Sequence, residues 1–348
     1  MALWLALILP ALPLQLAERA LDSTLPLAII EGAPQRLAVI HCNALARAAG
    51  VGPGMKLAAA QALARELIAL ERNPEREQAA LEEIAGWAYQ FSSHVVLQPD
   101  GLLLETGSSE RLFGGRARLH RAIADGLDAL GYRAALAYAA ATRTARVFAL
   151  ARSQRVPPSR TPESLPIRLL EWDEATNETL HALGLATIGD LLRLPRDAFA
   201  KRFGAARLDD LDRALGARAD PQPLYEPPAH FHARLELPAD FSETAQLMFP
   251  ARRLLASLEG FLRGRNAGAT ELVFAVTHSA RRGVAVVPTV VTLALAAPER
   301  DAQRLAALLG ERLARVQLPE PALTLALTVE RLHPVSYTHL TLPTTPYV

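Results

Sequence analysis

Cysteine is almost absent: Cys42 is the only one in 348 residues. A disulfide framework needs pairs and a cysteine-based zinc site needs several thiolates, so both are excluded and a reducing compartment is expected. Lysine is scarce too, with only Lys56 and Lys201. Arginine carries the remaining positive charge, and its planar fork suits phosphate. Because alanine, leucine and arginine dominate together, the arginine content reads as coding bias and says little about ligands. Net charge is only +1, so any nucleic-acid-binding face has to be basic locally. Neither phosphate-loop fingerprint, G-x-x-x-x-G-K-S/T or G-x-G-x-x-G, occurs, and Gly114-Gly115 reads as a turn. Charge is missing from the N-terminus, where no acid precedes Glu18 and no base precedes Arg19. That apolar run lacks a basic leader and is broken by Pro10 and Pro13, too short and interrupted for a membrane span. It reads as a buried first strand over residues 3–9 and then a helix start; an exported or membrane-anchored globular protein is the alternative it leaves open.

What is present is a large apolar fraction, 50% of the chain, enough for two or three cores. The stretch around which the rest is organised is residues 87–115, WAYQFSSHVVLQPDGLLLETGSSERLFGG. Pro99-Asp100-Gly101 between apolar runs predicts a hairpin, since proline presets φ and glycine tolerates positive φ. Strands are expected over 27–31, 36–41, 67–70, 94–97, 102–106 and 134–139, and helices over 43–49, 55–63, 75–89, 116–130 and 142–151, with Thr142 or a neighbour as a cap. The mixture predicts an α+β sheet domain. Residues 154–166 read as a linker. Residues 169–217 show only helical patterning, with Gly184, Gly204 and Gly216 as terminators. Four prolines over 220–228 enforce an extended run. The order then becomes β-α-β-β-α-β: strand 232–237, helix 242–265, strands 271–278 and 284–294, helix 299–316, strand 322–332. The last residues, 335–348, abandon the alanine–arginine bias and resemble translated adapter sequence; they are expected to be a non-native tail replacing a natural C-terminus.

This order of parts resembles a Y-family DNA polymerase: palm with inserted fingers, helical thumb, linker and little finger. The residues 42–51 (CNALARAAGV) resemble the fingers motif N-Y-x-A-R-x-x-G-V, followed by Gly54-Met55. Residues 98–105 (QPDGLLLE) fall where the family has S-x-D-E-A-Y-L-D, and residues 142–148 (TRTARVF) where it has a lysine-bearing helix. The resemblance implies an α+β multidomain fold: palm over 1–155 with fingers over about 11–70, thumb over 164–218, linker 219–229, little finger 230–333.

The departures carry the functional reading. Two-metal phosphoryl transfer needs several converging carboxylates. Where the family's first strand supplies D-x-D, this chain has Leu5-Ala6-Leu7-Ile8-Leu9, and the hairpin's D-E pair becomes Asp100-Gly101. Only the remnants Asp100 and Glu105 remain, so no catalytic residue, metal or cofactor is expected; Asp100 reads otherwise as turn chemistry and Glu105 as solvated or paired with an arginine such as Arg111. The fingers tyrosine is Ala44, while Arg47 and Arg146 are candidate phosphate contacts. Arg263, Arg265, Arg281 and Arg282 are candidate contacts to the DNA backbone. His230 and His232 have ligand-like spacing without a third ligand. The combination is similar to the ImuB-type, polymerase-like members of bacterial mutagenesis cassettes. That resemblance implies a cytoplasmic, nucleoid-associated, non-catalytic adaptor for DNA, an error-prone DnaE-type polymerase, a RecA-like ImuA partner and the sliding clamp, the clamp motif lying beyond this chain. An active translesion polymerase is the alternative.

Overall fold

The structure, a computed structural model, describes residues 2–19, 25–280 and 286–334. The chain opens with β1 (Trp4–Ile8) and α1 (Leu12–Glu18). An excursion follows through β2 (Leu27–Glu31), β3 (Ala38–Cys42), α2 (Ala44–Ala48), α3 (Leu57–Leu63) and β4 (Ile68–Glu71). Then come α4 (Pro74–Ala88), the hairpin β5 (Val95–Gln98) and β6 (Gly101–Glu105), α5 (Arg116–Ala129), β7 (Ala135–Ala139) and α6 (Thr142–Ser153).

The first sheet has the order β5-β6-β1-β7, antiparallel throughout. Its central strand β1 is covered on both faces. Leu5, Leu7 and Leu9 pack with Leu81 and Ile84 of α4 and Leu119 and Ile123 of α5. Ala6 and Ile8 pack with Ala145 and Ala149 of α6. A strand buried on both faces has to be apolar at every position rather than at alternate ones, as the run at residues 5–9 is.

The mixed sheet expected for the first part divides in two. Strands β2, β3 and β4 form their own three-stranded sheet, order β3-β2-β4, with β2 and β4 parallel. Hydrophobic periodicity fixes which face of a strand is buried but not which strands pair, so the sequence carried no signal for the split. Asn43 caps α2 by accepting the Ala46 amide, whereas Thr142, expected as a cap, is the first residue of α6 and uses its hydroxyl elsewhere.

Helices α7 (Glu174–Ala182), α8 (Ile188–Leu192), α9 (Arg196–Phe203) and α10 (Ala205–Ala214) follow a pair of short 3₁₀ turns. Asp173 caps α7, and Thr187 with Asp190 forms a capping box on α8. The apolar side chains of these helices, among them Leu180, Phe199 and Leu211, join the core beneath α6. Leu165 belongs to that core too, so the end of the segment read as a linker is packed. The proline-rich run is pinned to the first sheet: the Tyr225 amide donates to the Val95 carbonyl at 2.7 Å.

The last unit runs β8 (Phe231–Phe241), α11 (Met248–Arg263), β9 (Ala267–His278), β10 (Thr289–Glu299), α12 (Ala302–Leu313), β11 (Ala322–Val329) and a short β12 (Leu332–Pro334). The expected β-α-β-β-α-β order is present, with sheet order β10-β9-β11-β8 and β12 added beside β9. Helix α11 is shorter than expected because Thr244–Leu247 forms a separate 3₁₀ turn. This unit packs on the first through Trp87 of α4. A Cβ on Gly126 of α5 would lie 2.4 Å from its indole, and one on Gly260 of α11 would lie 2.1 Å away. Only glycine on both helices admits the ring between them. Arg281, Arg282 and the tail 335–348 lie outside the described residues.

Candidate functional site

The end of β1 and the β5–β6 turn come together as the hairpin requires. Ile8 pairs with Gly101, and the Leu9 amide donates to the Asp100 carbonyl at 2.8 Å. Asp100 therefore sits beside the end of the strand on which a metal-dependent polymerase needs its first carboxylates. Its carboxylate faces a guanidinium: Arg146 Nη1 donates to Asp100 Oδ1 at 2.7 Å. Asp100 is thus an ion-pair partner, beyond the turn role expected of it.

Arg146 is committed on all sides. Its Nε and Nη2 donate to the two oxygens of Glu171 at 2.8 and 2.7 Å, a bidentate fork, while Nη1 holds Asp100. Its side chain is 7% exposed. Burial disfavours its charge, but the hydrogen bonds to Glu171 and Asp100 and their negative charge outweigh that and raise its pKa. Burial likewise opposes ionisation of Glu171, yet the Arg146 fork and the charges of Arg146 and Arg143 hold its pKa below the ordinary value. Glu171 takes a left-handed conformation, φ 58° and ψ 32°, directly after the 3₁₀ turn Ile167–Leu170. That conformation costs a non-glycine residue about 1 kcal/mol or more and is retained where surrounding contacts over-determine it.

The pair is part of a wider network closing the helical unit onto the first sheet. Arg143, one turn before Arg146 on α6, forks onto Asp210 of α10 through Nε and Nη2 at 3.0 and 3.2 Å, and reaches Glu171 at 3.1 Å. The Trp172 indole donates to Asp210 at 2.8 Å. Thr142 Oγ1 donates to Asp220 at 2.9 Å, and Thr144 Oγ1 to the Ala214 carbonyl at 2.8 Å. A cleft of about 190 Å³ between sheet and helices is lined by Thr142, Arg143, Arg146, Asp210 and Asp220 with Gln98, Leu103 and Gln222.

The remaining residues singled out in the sequence lie apart. Glu105 is neither free nor paired with Arg111: it accepts the Leu3 amide at 3.2 Å, the Gly107 amide at 2.9 Å and the Ser108 hydroxyl at 2.7 Å. Burial would raise its pKa, but these donors outweigh burial and lower it. It closes the turn after β6 instead of serving a site. Arg47 is exposed on α2 and donates to the Cys42 carbonyl at 2.6 Å. Arg263 pairs with Glu259 one turn back. Arg265 lies 3.6 Å over the Phe261 ring and donates to the Pro228 carbonyl at 2.9 Å, a structural role. His232 meets Thr328 at 2.9 Å.

Two divalent cations do not fit this arrangement. Among the described residues no group of three or more His, Cys, Asp or Glu side chains is placed to hold a metal ion. At Gly101, where the family carries its second hairpin carboxylate, an added Cβ would lie 1.8 Å from the Leu7 carbonyl oxygen. The backbones of β1 and β6 approach too closely there for any side chain. The carboxylate of Asp100 is paired there with the Arg146 guanidinium.

Sequence reasoning marked Arg146 and Asp100 separately and missed that they bind each other. It also missed Arg143, Glu171, Asp210 and Asp220. The available signal was the i, i+3 spacing of Arg143 and Arg146, which puts two cations on one helix face and requires acids opposite.

Fold and site together define a protein with the architecture of a Y-family DNA polymerase. Residues 13–149 match the IMS (impB/mucB/samB) family. Among solved structures it is similar to an insertion ternary complex of Dbh DNA polymerase, with TM-score 0.52 and 15% identity over 95% of this chain and 99% of that one. It is likewise similar to DinB from Sulfolobus solfataricus, with TM-score 0.50 and 14% identity over 96% of this chain and all of that one. These likenesses establish the fold: palm with fingers, helical thumb and β-α-β-β-α-β little finger. Among curated proteins it is 34% identical to protein ImuB of Caulobacter vibrioides over 274 residues, 76% of this chain. The chain spans only 58% of that relative's length. Among the described residues, no helix is long and apolar enough to cross a membrane.

Proposed function

We propose that this chain is a catalytically silent, DNA-binding adaptor of damage-induced translesion synthesis. In this reading it brings an error-prone DnaE-type polymerase and a RecA-like ImuA-type protein to the sliding clamp in the cytoplasm. The observation that carries the proposal is the Arg146 fork. Asp100, the carboxylate at the hairpin turn beside the end of an apolar β1, is neutralised by a guanidinium that also binds Glu171. Phosphoryl transfer by two metals needs those oxygens free and several more beside them. The polymerase fold and the likeness to ImuB support the DNA-related half of the reading. The exposed Arg47 is the candidate for a phosphate contact.

The test is a pull-down with the full-length protein, using purified clamp and DnaE-type polymerase, beside binding to fluorescent primed DNA across a salt series. The adaptor reading expects capture of both proteins and an affinity for DNA that falls linearly with salt on logarithmic axes. Failure to capture either protein, or no DNA binding at low salt, overturns it.

A further inference from the structure

Units joined by a linker move against each other by default, unless the interface between them is tightly packed. The last unit gives one whole stripe of α11 to its interface with the first. Arg253, Ala256, Gly260 and Gly264 follow at intervals of three, four and four residues, which places them on one side of the helix. The opposite side, with Leu254, Leu258 and Leu262, belongs to the last unit's own core. Ala256 packs against the core that α4 and α5 share with the first sheet. At Gly260 the buried Trp87 ring closes in, and at Gly264 an added Cβ would lie 3.0 Å from the Gln90 amide nitrogen. From the facing side, a Cβ on Gly86 of α4 would come 3.2 Å from the Phe261 ring. The helices meet close to backbone contact with one indole keyed between them. Sliding or turning α11 has to expel that ring or drive backbone into it.

Polar bonds fix both ends of the stripe. Arg253 donates to the Glu18 carbonyl at 3.3 Å and to the Arg19 carbonyl, while its guanidinium lies 4.3 Å over the Phe249 ring. These carbonyls stand at the end of α1, where a helix leaves its acceptors without partners of its own. Arg19 is itself buried and donates to the Leu130 carbonyl at 2.8 Å, to the Tyr132 hydroxyl and, at 3.3 Å, to Glu83. Arg253 thus reaches into a knot that already ties α1, α4 and the end of α5 together. At the other end, Arg265 holds the Pro228 carbonyl and the Tyr225 hydroxyl donates to the Glu82 carbonyl of α4 at 3.2 Å. The proline-rich linker is therefore fastened along its course as well as stiff in itself.

We propose that the α4–α5–α11 joint locks the last unit to the first sheet as one rigid body, so that its position is preset and does not change when the chain takes up DNA. The part that concerns DNA rests on the DNA-binding reading, whereas the lock itself does not. A unit held in place binds without the ordering cost that a swinging one bears.

The test is pulsed electron paramagnetic resonance on the full chain, with spin labels at Arg121→Cys on α5 and Glu311→Cys on α12, both exposed positions. Cys42 is buried, and Cys42→Ser removes it from labelling. The unbound protein is expected to give one narrow distance, and a saturating primed duplex to leave it within about 5 Å, the rise of one helical turn. Arg253→Met, which releases the α1 carbonyls, and Gly260→Leu, which evicts the Trp87 ring, are expected to broaden or split the distribution. A broad or double distance in the unbound protein, a shift of more than one turn on adding DNA, or the parental distance in whichever of the two variants folds overturns the proposal. A duplex that does not bind in the same samples sinks the DNA-binding reading instead, and the distance in the unbound protein still decides the lock.

Discussion

Removing the Arg146 guanidinium tests whether charge holds the helical unit on the sheet. Arg146→Met keeps much of the buried side-chain volume and deletes three charge-assisted hydrogen bonds, at 2.7, 2.7 and 2.8 Å. Breaking a fully buried ion pair by removing one partner costs about 3–5 kcal/mol. Here the arginine is 7% exposed, but Asp100 and Glu171 are 36% and 37% exposed, so water recovers part of the loss. A cost of about 2–3 kcal/mol follows, which is roughly a 30- to 150-fold rise in local opening. Native-state hydrogen exchange reads this directly: amides of α9 and α10 should lose protection by that factor, while those of β9 and β11 in the last sheet keep theirs. Adding Glu171→Gln to Arg146→Met should restore part of the protection, since the Glu171 carboxylate is then no longer left without its fork and only Asp100 stays without its partner. Protection in α10 within about threefold of the parent, or an equal loss in β9 and β11, would refute the reasoning.

Other outcomes follow from the same geometry. Gly101→Ala places a Cβ 1.8 Å from the Leu7 carbonyl oxygen, so it should destabilise by about 3 kcal/mol or more in urea unfolding, and Gly101→Glu should not restore a metal site. Glu171 is held below its ordinary pKa of 4.5, so its contribution is complete above that value and is lost as pH falls through the lowered folded value; fluorescence of Trp172, bonded to Asp210, should report loosening of the helical unit in that acid range while the protein stays docked at neutral pH. Arg47→Ala, at an exposed position, should leave thermal stability within about 0.5 kcal/mol and reduce the salt slope of DNA binding by about one unit.

Much of the fold is legible in the sequence where a local pattern has a single physical reading. The continuous apolar run at residues 5–9 has to be buried on both faces, and Pro99-Asp100 between two apolar runs has to turn. The glycines at 184, 204 and 216 end helices in the positive-φ region, at 76°, 93° and 74°. What is not legible is long-range. Nothing local assigns β2, β3 and β4 to a sheet of their own, and nothing near Arg146 announces Glu171, which lies 25 residues on and reaches it only through a left-handed turn. The candidate site shows the same division. That β1 carries no acid can be read directly, whereas the pairing of Asp100 with Arg146 appears only when α6 is laid across the sheet. Glu105 misleads for a related reason: a carboxylate ending a strand looks like a remnant ligand until the amides of Leu3 and Gly107 are seen to converge on it.

The central claim is that Arg146 occupies electrostatically the place where a polymerase holds its cations. Primer extension on a primed template, with all four deoxynucleoside triphosphates and either Mg²⁺ or Mn²⁺, tests it most directly. The account predicts incorporation no greater than that of the Asp100→Ala variant. Robust incorporation that Asp100→Ala abolishes would contradict it.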